Sequence, residues 1–294
     1  MSKGVVAAIC AAFSAGMIPI FTKLMMNAGL TSAQVLFFRY MWVFIMAGGW
    51  MMIRKKSFHI TRKQLCALFF FTVAGYGGAT FLLASSFNFL PEGLATMLYF
   101  TYPMFVMLIM TLLFKEKPTK IKTASLLLAV FGILWLMNFD FSIVNIGSVL
   151  AVGAGLAYGV YLVGIRKSSM KNMDNMAIVF YLAGISCVLF FGQGCLTGTP
   201  DFLTIGPLEL FYGLILGFIT VFVLGVVAFA IKAIGPTKTS LIISFEAVVS
   251  LVMGILVFSE PYGVNTWVGS ILMTLSVIFI TRENTEEALV AAEK

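Results

Sequence analysis

Continuous apolar stretches of about twenty residues recur along the whole chain, and they settle the class of fold first. At 1.5 Å of rise per residue, about twenty apolar residues in a helix cross ~30 Å of hydrocarbon. Ten such stretches can be placed, at 4–27, 32–53, 64–87, 92–114, 121–138, 146–165, 175–196, 208–232, 237–258 and 265–281. Breakers separate them, among them Asn27-Ala28-Gly29, Leu90-Pro91-Glu92-Gly93, Thr197-Gly198-Thr199-Pro200 and Gly235-Pro236. With 61% apolar and 11% charged residues, a soluble globule of 294 residues could not hide this surface. An outer-membrane barrel would need short alternating segments instead. The expected class is an all-α integral membrane protein with ten transmembrane helices.

The cations sort by side of the membrane. Lys3, the second loop (Arg54, Lys55, Lys56, Arg62, Lys63), the fourth (Lys115, Lys117, Lys120, Lys122), the sixth (Arg166, Lys167, Lys171), the eighth (Lys232, Lys238) and the tail (Arg282, Lys294) hold 17 of the 19. The intervening loops hold none, which predicts a multi-pass membrane protein with both termini cytoplasmic. The net charge of +7 then reflects topology, and no loop combines the basic and aromatic surface that would bind nucleic acid. Lys3 and the first apolar run resemble a secretory signal, but the run is too long and reads as an uncleaved helix.

Loops of at most about a dozen residues leave no room for a soluble catalytic domain. His59, the single histidine, lies in a basic loop. No phosphate-binding glycine loop, nucleophile elbow or carboxylate pair occurs. Neither an enzyme, a metal site nor an ATP-driven pump is expected, and no cofactor beyond coupling to a proton gradient. Cys10, Cys66, Cys187 and Cys195 show no paired spacing and read as buried small residues.

The chain also repeats itself. Gly4, Ala8, Ala12 and Gly16 recur, 143 residues on, as Gly147, Ala151, Gly155 and Gly159, and Lys23 falls on Arg166. Pro91 to Glu116 resembles Pro236 to Glu260 at an offset of 144–145. The expected domains are 1–140 and 145–282, five helices each, followed by a polar tail at 283–294. An odd number of spans per half turns the second copy upside down. Inverted repeats place a cavity at their junction and support alternating access. The small residues let helix backbones approach closely where lipid gives no hydrophobic drive.

Several segments, taken in order, resemble the EamA-type transporters of the drug/metabolite transporter superfamily. In the first half they are Phe13-Ser14-Ala15-Gly16, Pro19, Lys23, Arg39, Leu90-Pro91-Glu92-Gly93-Leu94-Ala95, Tyr102-Pro103 and Lys115-Glu116. In the second they are Leu156-Ala157-Tyr158, Tyr161, Ile234-Gly235-Pro236-Thr237, Phe245-Glu246-Ala247-Val248, Ser259-Glu260 and Trp267-Val268-Gly269. One departure is Glu246-Ala247, where the family often has Glu-Pro, so a proline-dependent kink is not expected there. The resemblance implies a ten-helix inner-membrane carrier of small metabolites, often an exporter, with amino acids or their derivatives the best single substrate class. Carriers of nucleobases, nucleotide-sugars or lipophilic drugs are the alternative; a channel or a non-transporting sensor is a rival of another class. One chain closes its own cavity, so a monomer suffices and a dimer is compatible.

Polar groups inside a span need a reason to be there. Glu246 lies about ten residues into its helix, ~15 Å deep, where it could bind a substrate ammonium or carry a proton; the bland reading is a neutral acid bonded to a carbonyl. Tyr102 is its repeat counterpart, with Tyr99 on the same face and Pro103 beside it. Tyr158 and Tyr161 extend an aromatic lining, or simply pack. Arg39, ~10 Å deep, and Lys23, nearer the outer end, would attract a carboxylate; alternatively Lys23 snorkels and Arg39 pairs with Glu92 or caps a helix. Tyr76 sits among Gly75, Gly77 and Gly78, which allow close approach or unwinding, as Pro19 and Pro103 do in their helices. Ser86, with Ser85 and Asn88, is a candidate gate residue. Glu116 and Glu260, just beyond their helices, read as structural.

Overall fold

The computed structural model describes residues 2–90, 92–136, 145–196, 203, 205–258 and 263–292. Pro91, Glu260 and the Thr197-Gly198-Thr199-Pro200 breaker lie outside them, as do the side chains of Glu92 and of 282–294. The described elements are helices. In chain order they are α1 (Lys3–Ala15), α2 (Ile18–Asn27), α3 (Ser32–Ile53), α4 (Arg62–Phe70), a π-helical segment (Phe71–Gly77), α5 (Gly78–Ser86), α6 (Glu92–Tyr99) and α7 (Tyr102–Leu112). Then follow α8 (Lys120–Leu136), α9 (Ile146–Lys167), a 3₁₀ turn (Ser169–Asn172), α10 (Asn175–Leu196), α11 (Pro207–Ile234), α12 (Pro236–Ile243), α13 (Glu246–Phe258) and α14 (Val264–Ala292).

Local chemistry sets the ends. Thr31 with Gln34, Thr61 with Gln64 and Asn145 with Ser148 form reciprocal caps that start α3, α4 and α9. Gly235, at φ 88°, turns the chain between α11 and α12 in a conformation that favours glycine. Eight helical stretches among the described residues are long and apolar enough to cross a bilayer, rather than the ten expected. The segments read as spans at 121–138 and 265–281 are α8 and part of α14. They pack along each other, but α8 has 17 described residues and opens on Lys120 and Lys122, and the apolar part of α14 runs only from Trp267 to Thr281.

Four of the long helices are interrupted. The first breaks at Gly16-Met17, where Pro19 in the first turn of α2 cannot donate to the preceding turn. The α6–α7 helix breaks at Phe100-Thr101, before Pro103. The α12–α13 helix breaks at Ser244-Phe245 with alanine in the corresponding place; there the Ala247 amide bonds the Ser244 carbonyl three residues back. The interruption just before Glu246-Ala247 is therefore one that depends on no proline. These last two breaks fall at the same point of the repeat, since 100 and 101 plus 144 are 244 and 245. The third long helix widens into the π segment, and there the glycines explain themselves. A Cβ on Gly77 or Gly78 would lie 2.9 Å from the carbonyl oxygen of Thr72 or Val73, five residues back.

The repeat is also visible in the packing. α1 packs on α11 as α9 packs on α5, while α3 pairs with α10 and α8 with α14. Gly4 abuts Ala233 and Ile234, and Gly147 abuts Phe89 and Leu90, the same positions 144 residues earlier. Gly16 abuts Val249 and Ser250, and Gly159 abuts Phe105 and Val106, again 144 earlier. The two ladders of small residues thus make matching close approaches in both halves.

Two sequence expectations change. Lys238 is not in a loop: it lies in α12, 6% exposed, and every residue of that helix is buried. Cys10, Cys66 and Cys195 are exposed rather than buried, on helices whose outward faces are apolar.

Candidate functional site

The breaks and the π segment deliver polar side chains to one place. Tyr76, in the π segment, lies 5.2 Å from the Tyr161 ring and 6.0 Å from those of Tyr158 and Tyr40. Gly75 makes this possible, because a Cβ there would stand 2.9 Å from the Cβ of Tyr161. Tyr99 ends α6 and Tyr102 begins α7; their rings are 5.6 Å apart, and each lies against Tyr158, at 5.5 and 5.0 Å. Gly155 lets α9 close on this break, its Cβ position being 2.9 Å from the Tyr99 carbonyl oxygen. Six tyrosines from α3, the π segment, α6, α7 and α9 therefore form one cluster.

Arg39 enters it from α3. Its Nε donates to Thr220 Oγ1 of α11 at 2.8 Å, and Nη2 reaches the Tyr76 hydroxyl at 3.5 Å. The guanidinium carbon stands 5.3 Å from the Tyr40 ring centroid, a cation–π distance. Thr220 is fully buried and donates in turn to the Leu216 carbonyl at 2.7 Å. It reaches Arg39 because Gly217, one turn earlier, admits Trp42 of α3 to within 2.5 Å of where a Cβ would be.

Glu246 enters from the other side, as the first residue of α13, where the helix dipole favours negative charge. Its carboxyl is within electrostatic reach of Tyr99, Tyr102, Tyr158 and Arg39. Arg39, Tyr99, Tyr158 and Glu246 lie deep among the helices, and each keeps part of its surface accessible. The hydroxyls of Tyr40 and Tyr102 are fully buried and meet no hydrogen-bond partner among the described residues. A guanidinium and a carboxyl within electrostatic reach of each other and of the same tyrosine cluster suit a small molecule carrying charges of both signs.

The sequence-named residues divide accordingly. Glu246, Arg39, Tyr76, Tyr99, Tyr102, Tyr158 and Tyr161 come together. Ser86 does not: it is fully buried and donates to the Leu83 carbonyl at 2.6 Å, as a helix-end serine does. Lys23 lies in the second half of α2. Gly75, Gly77, Gly78, Pro19 and Pro103 sit at the interruptions. Arg39 is held by Thr220. Thr220 and Tyr40 are not among the residues named from the sequence; their only signal there is a lone threonine in a very apolar helix and a tyrosine beside a mid-span arginine.

A family model, the EamA-like transporter family, matches residues 2–138 and 145–282. The chain belongs to the EamA-like transporter family. It is thus a multi-pass membrane protein of a family of small-molecule transporters. Among solved structures, one described only as "Crystal structure of protein" superposes with a TM-score of 0.80 at 14% identity, covering 95% of this chain and 98% of that one, which shows a shared fold. No curated protein matches. Within this EamA-family chain both matched segments build the site: the first supplies Arg39, Tyr40, Tyr76, Tyr99 and Tyr102, and the second Tyr158, Tyr161, Thr220 and Glu246.

Proposed function

We propose that the protein is a secondary carrier that exports amino acids or their derivatives across the inner membrane by alternating access. The observation that carries this reading is the tyrosine cluster, whose two charged members, Arg39 and Glu246, come from different halves of the repeat. Arg39 would take the substrate carboxylate, with Thr220 fixing its orientation. Glu246 would take the ammonium, or a proton when the site is empty. The tyrosine faces would hold the substrate's apolar part.

Ten crossings, an inverted second half and cytoplasmic termini complete the reading. The exchanged packing of the two ladders supports inversion. The two ends of the site also differ. On the side of the basic loops, α12 is wholly buried, and Arg166 of α9 bonds the Ile231 and Lys232 carbonyls at 3.1 and 2.5 Å, sealing the end of α11. On the other side, residues 96–99 of α6 keep accessible surface. This asymmetry supports a state closed toward the cytoplasm, one of the two that alternating access requires. Nucleotide-sugar transport is less favoured, since one guanidinium is a poor match for a diphosphate.

The test is efflux from proteoliposomes loaded with a mixed pool of amino acids, nucleobases and small amines, followed by mass spectrometry. Selective, saturable loss of amino acids is expected. Loss of amines or nucleobases alone from well-inserted protein would overturn the substrate class.

A further inference from the structure

Outside the central site, an apolar groove of about 420 Å³ runs between α3, α4 and α10. Phe44, Phe69, Phe180, Gly184, Val188 and Leu189 are among the residues that line it. It exists because Gly184 has no side chain: a Cβ there would already press on the Phe44 ring at 3.1 Å, while Phe44 and Phe180 stack at 4.4 Å. The groove is open to the outside of the bundle, with Val188 72% and Phe69 58% exposed.

Its depth follows from the helices. Phe69 lies seven residues after the start of α4 and Phe180 five after the start of α10, both counted from the side of the basic loops. The α3–α4 loop lies over that end. Phe58 of the loop packs on Phe180 at 5.3 Å, and Tyr181 donates to the Phe58 carbonyl at 2.5 Å. The same loop and the first turn of α4 carry Arg54, Lys55, Lys56, Arg62 and Lys63, all exposed. Lys56 pairs with Asp174 at 3.1 Å, and the mouth keeps a clear excess of positive charge.

We propose that this groove is a binding site for one anionic phospholipid of the leaflet on the basic side, with an acyl chain along Gly184 and the headgroup against the cationic loop. Chain and headgroup call for different surfaces, and the groove and the loop supply them one above the other. Charge complementarity separates this lipid from the zwitterionic lipids that wet any apolar helix face. It does not depend on the central site.

The test uses the full chain in detergent micelles titrated with phosphatidylglycerol or phosphatidylcholine, with bound lipid read by native mass spectrometry and thermal unfolding. Phosphatidylglycerol should bind one per chain and raise Tm more than phosphatidylcholine does. Val188→Trp, at an exposed position, should fill the groove and abolish that bound lipid. Lys55→Gln with Arg62→Gln and Lys63→Gln should leave the groove intact and weaken phosphatidylglycerol by about fivefold per charge removed, down to the phosphatidylcholine level. Equal binding of the two lipids by the wild-type chain, or undiminished phosphatidylglycerol binding by Val188→Trp, would overturn the proposal.

Discussion

Thr220→Val removes one oxygen and little volume, so it isolates what the Thr220 hydroxyl does. That oxygen accepts from Arg39 Nε at 2.8 Å, and both groups are deep in the protein. Valine leaves Nε without its partner, while the Tyr76 contact at 3.5 Å is too long to replace it. A hydrogen bond to a charged group is worth about 1.5–3 kcal/mol. At about 1.4 kcal/mol per tenfold, that is roughly a 10- to 100-fold change in an equilibrium constant. If Arg39 holds the substrate carboxylate, the change falls on substrate binding, and the KM for amino-acid efflux from proteoliposomes rises by this factor. Thr220→Ser keeps the oxygen and stays near wild type. Efflux of an amine lacking the carboxylate, if it occurs, does not change. An unchanged KM for Thr220→Val, or equal damage from valine and serine, would refute the assignment.

Other expectations follow from packing and charge. Gly155→Ala drives a methyl to 2.9 Å from the Tyr99 carbonyl oxygen, a backbone atom that cannot swing away; overpacking costs about 1–3 kcal/mol and lowers Tm. Gly192→Ala meets nothing within 4 Å and leaves Tm equal or slightly higher in the same kind of thermal melt. Arg166→Gln frees the two carbonyls that end α11. With the four native cysteines replaced, a Lys238→Cys probe should then react faster with a membrane-impermeant thiol reagent from the basic side; an unchanged rate would remove Arg166 from the closed end. Partial burial pushes the Asp174 carboxyl up, but the Lys56 ammonium and the Met176 amide, 2.9 Å away, hold it net below its ordinary value. Its stabilisation is therefore present above the unfolded carboxylate range, near pH 4, and is lost as pH falls through the lower folded value. Asp174→Asn keeps the cap, costs under about 1 kcal/mol at neutral pH, and matches wild type in acid melts.

What the sequence reveals, and what it hides, has a physical pattern. The ladders of Gly4 to Gly16 and Gly147 to Gly159 are legible because close backbone approach needs small residues at fixed spacing, and both ladders make matching contacts. Glu246, Arg39 and the tyrosines stand out because polar groups in an apolar span are costly. Thr220 is hidden because a hydroxyl can satisfy itself on its own helix, so its second role depends on Gly217 bringing α3 close. Lys238 is hidden because hydropathy cannot see that α12 is covered on every side. The break at Ser244-Phe245 is hidden because it needs no proline, only an amide that bonds three residues back. The glycines around Tyr76 mark a weak helix, but the π geometry shows only once Gly77 and Gly78 meet carbonyls five residues away.

Amino-acid efflux from proteoliposomes with and without an imposed pH gradient, for the wild-type chain and for Glu246→Gln, tests the proposed carrier most directly. The carboxyl at the start of α13 is the group that would exchange a proton for a substrate ammonium. The account predicts saturable wild-type efflux that responds to the gradient, and a glutamine variant whose efflux is at least about tenfold slower, the loss of one charge-assisted contact, and indifferent to the gradient. Equal rates and equal gradient response for the two proteins would contradict it.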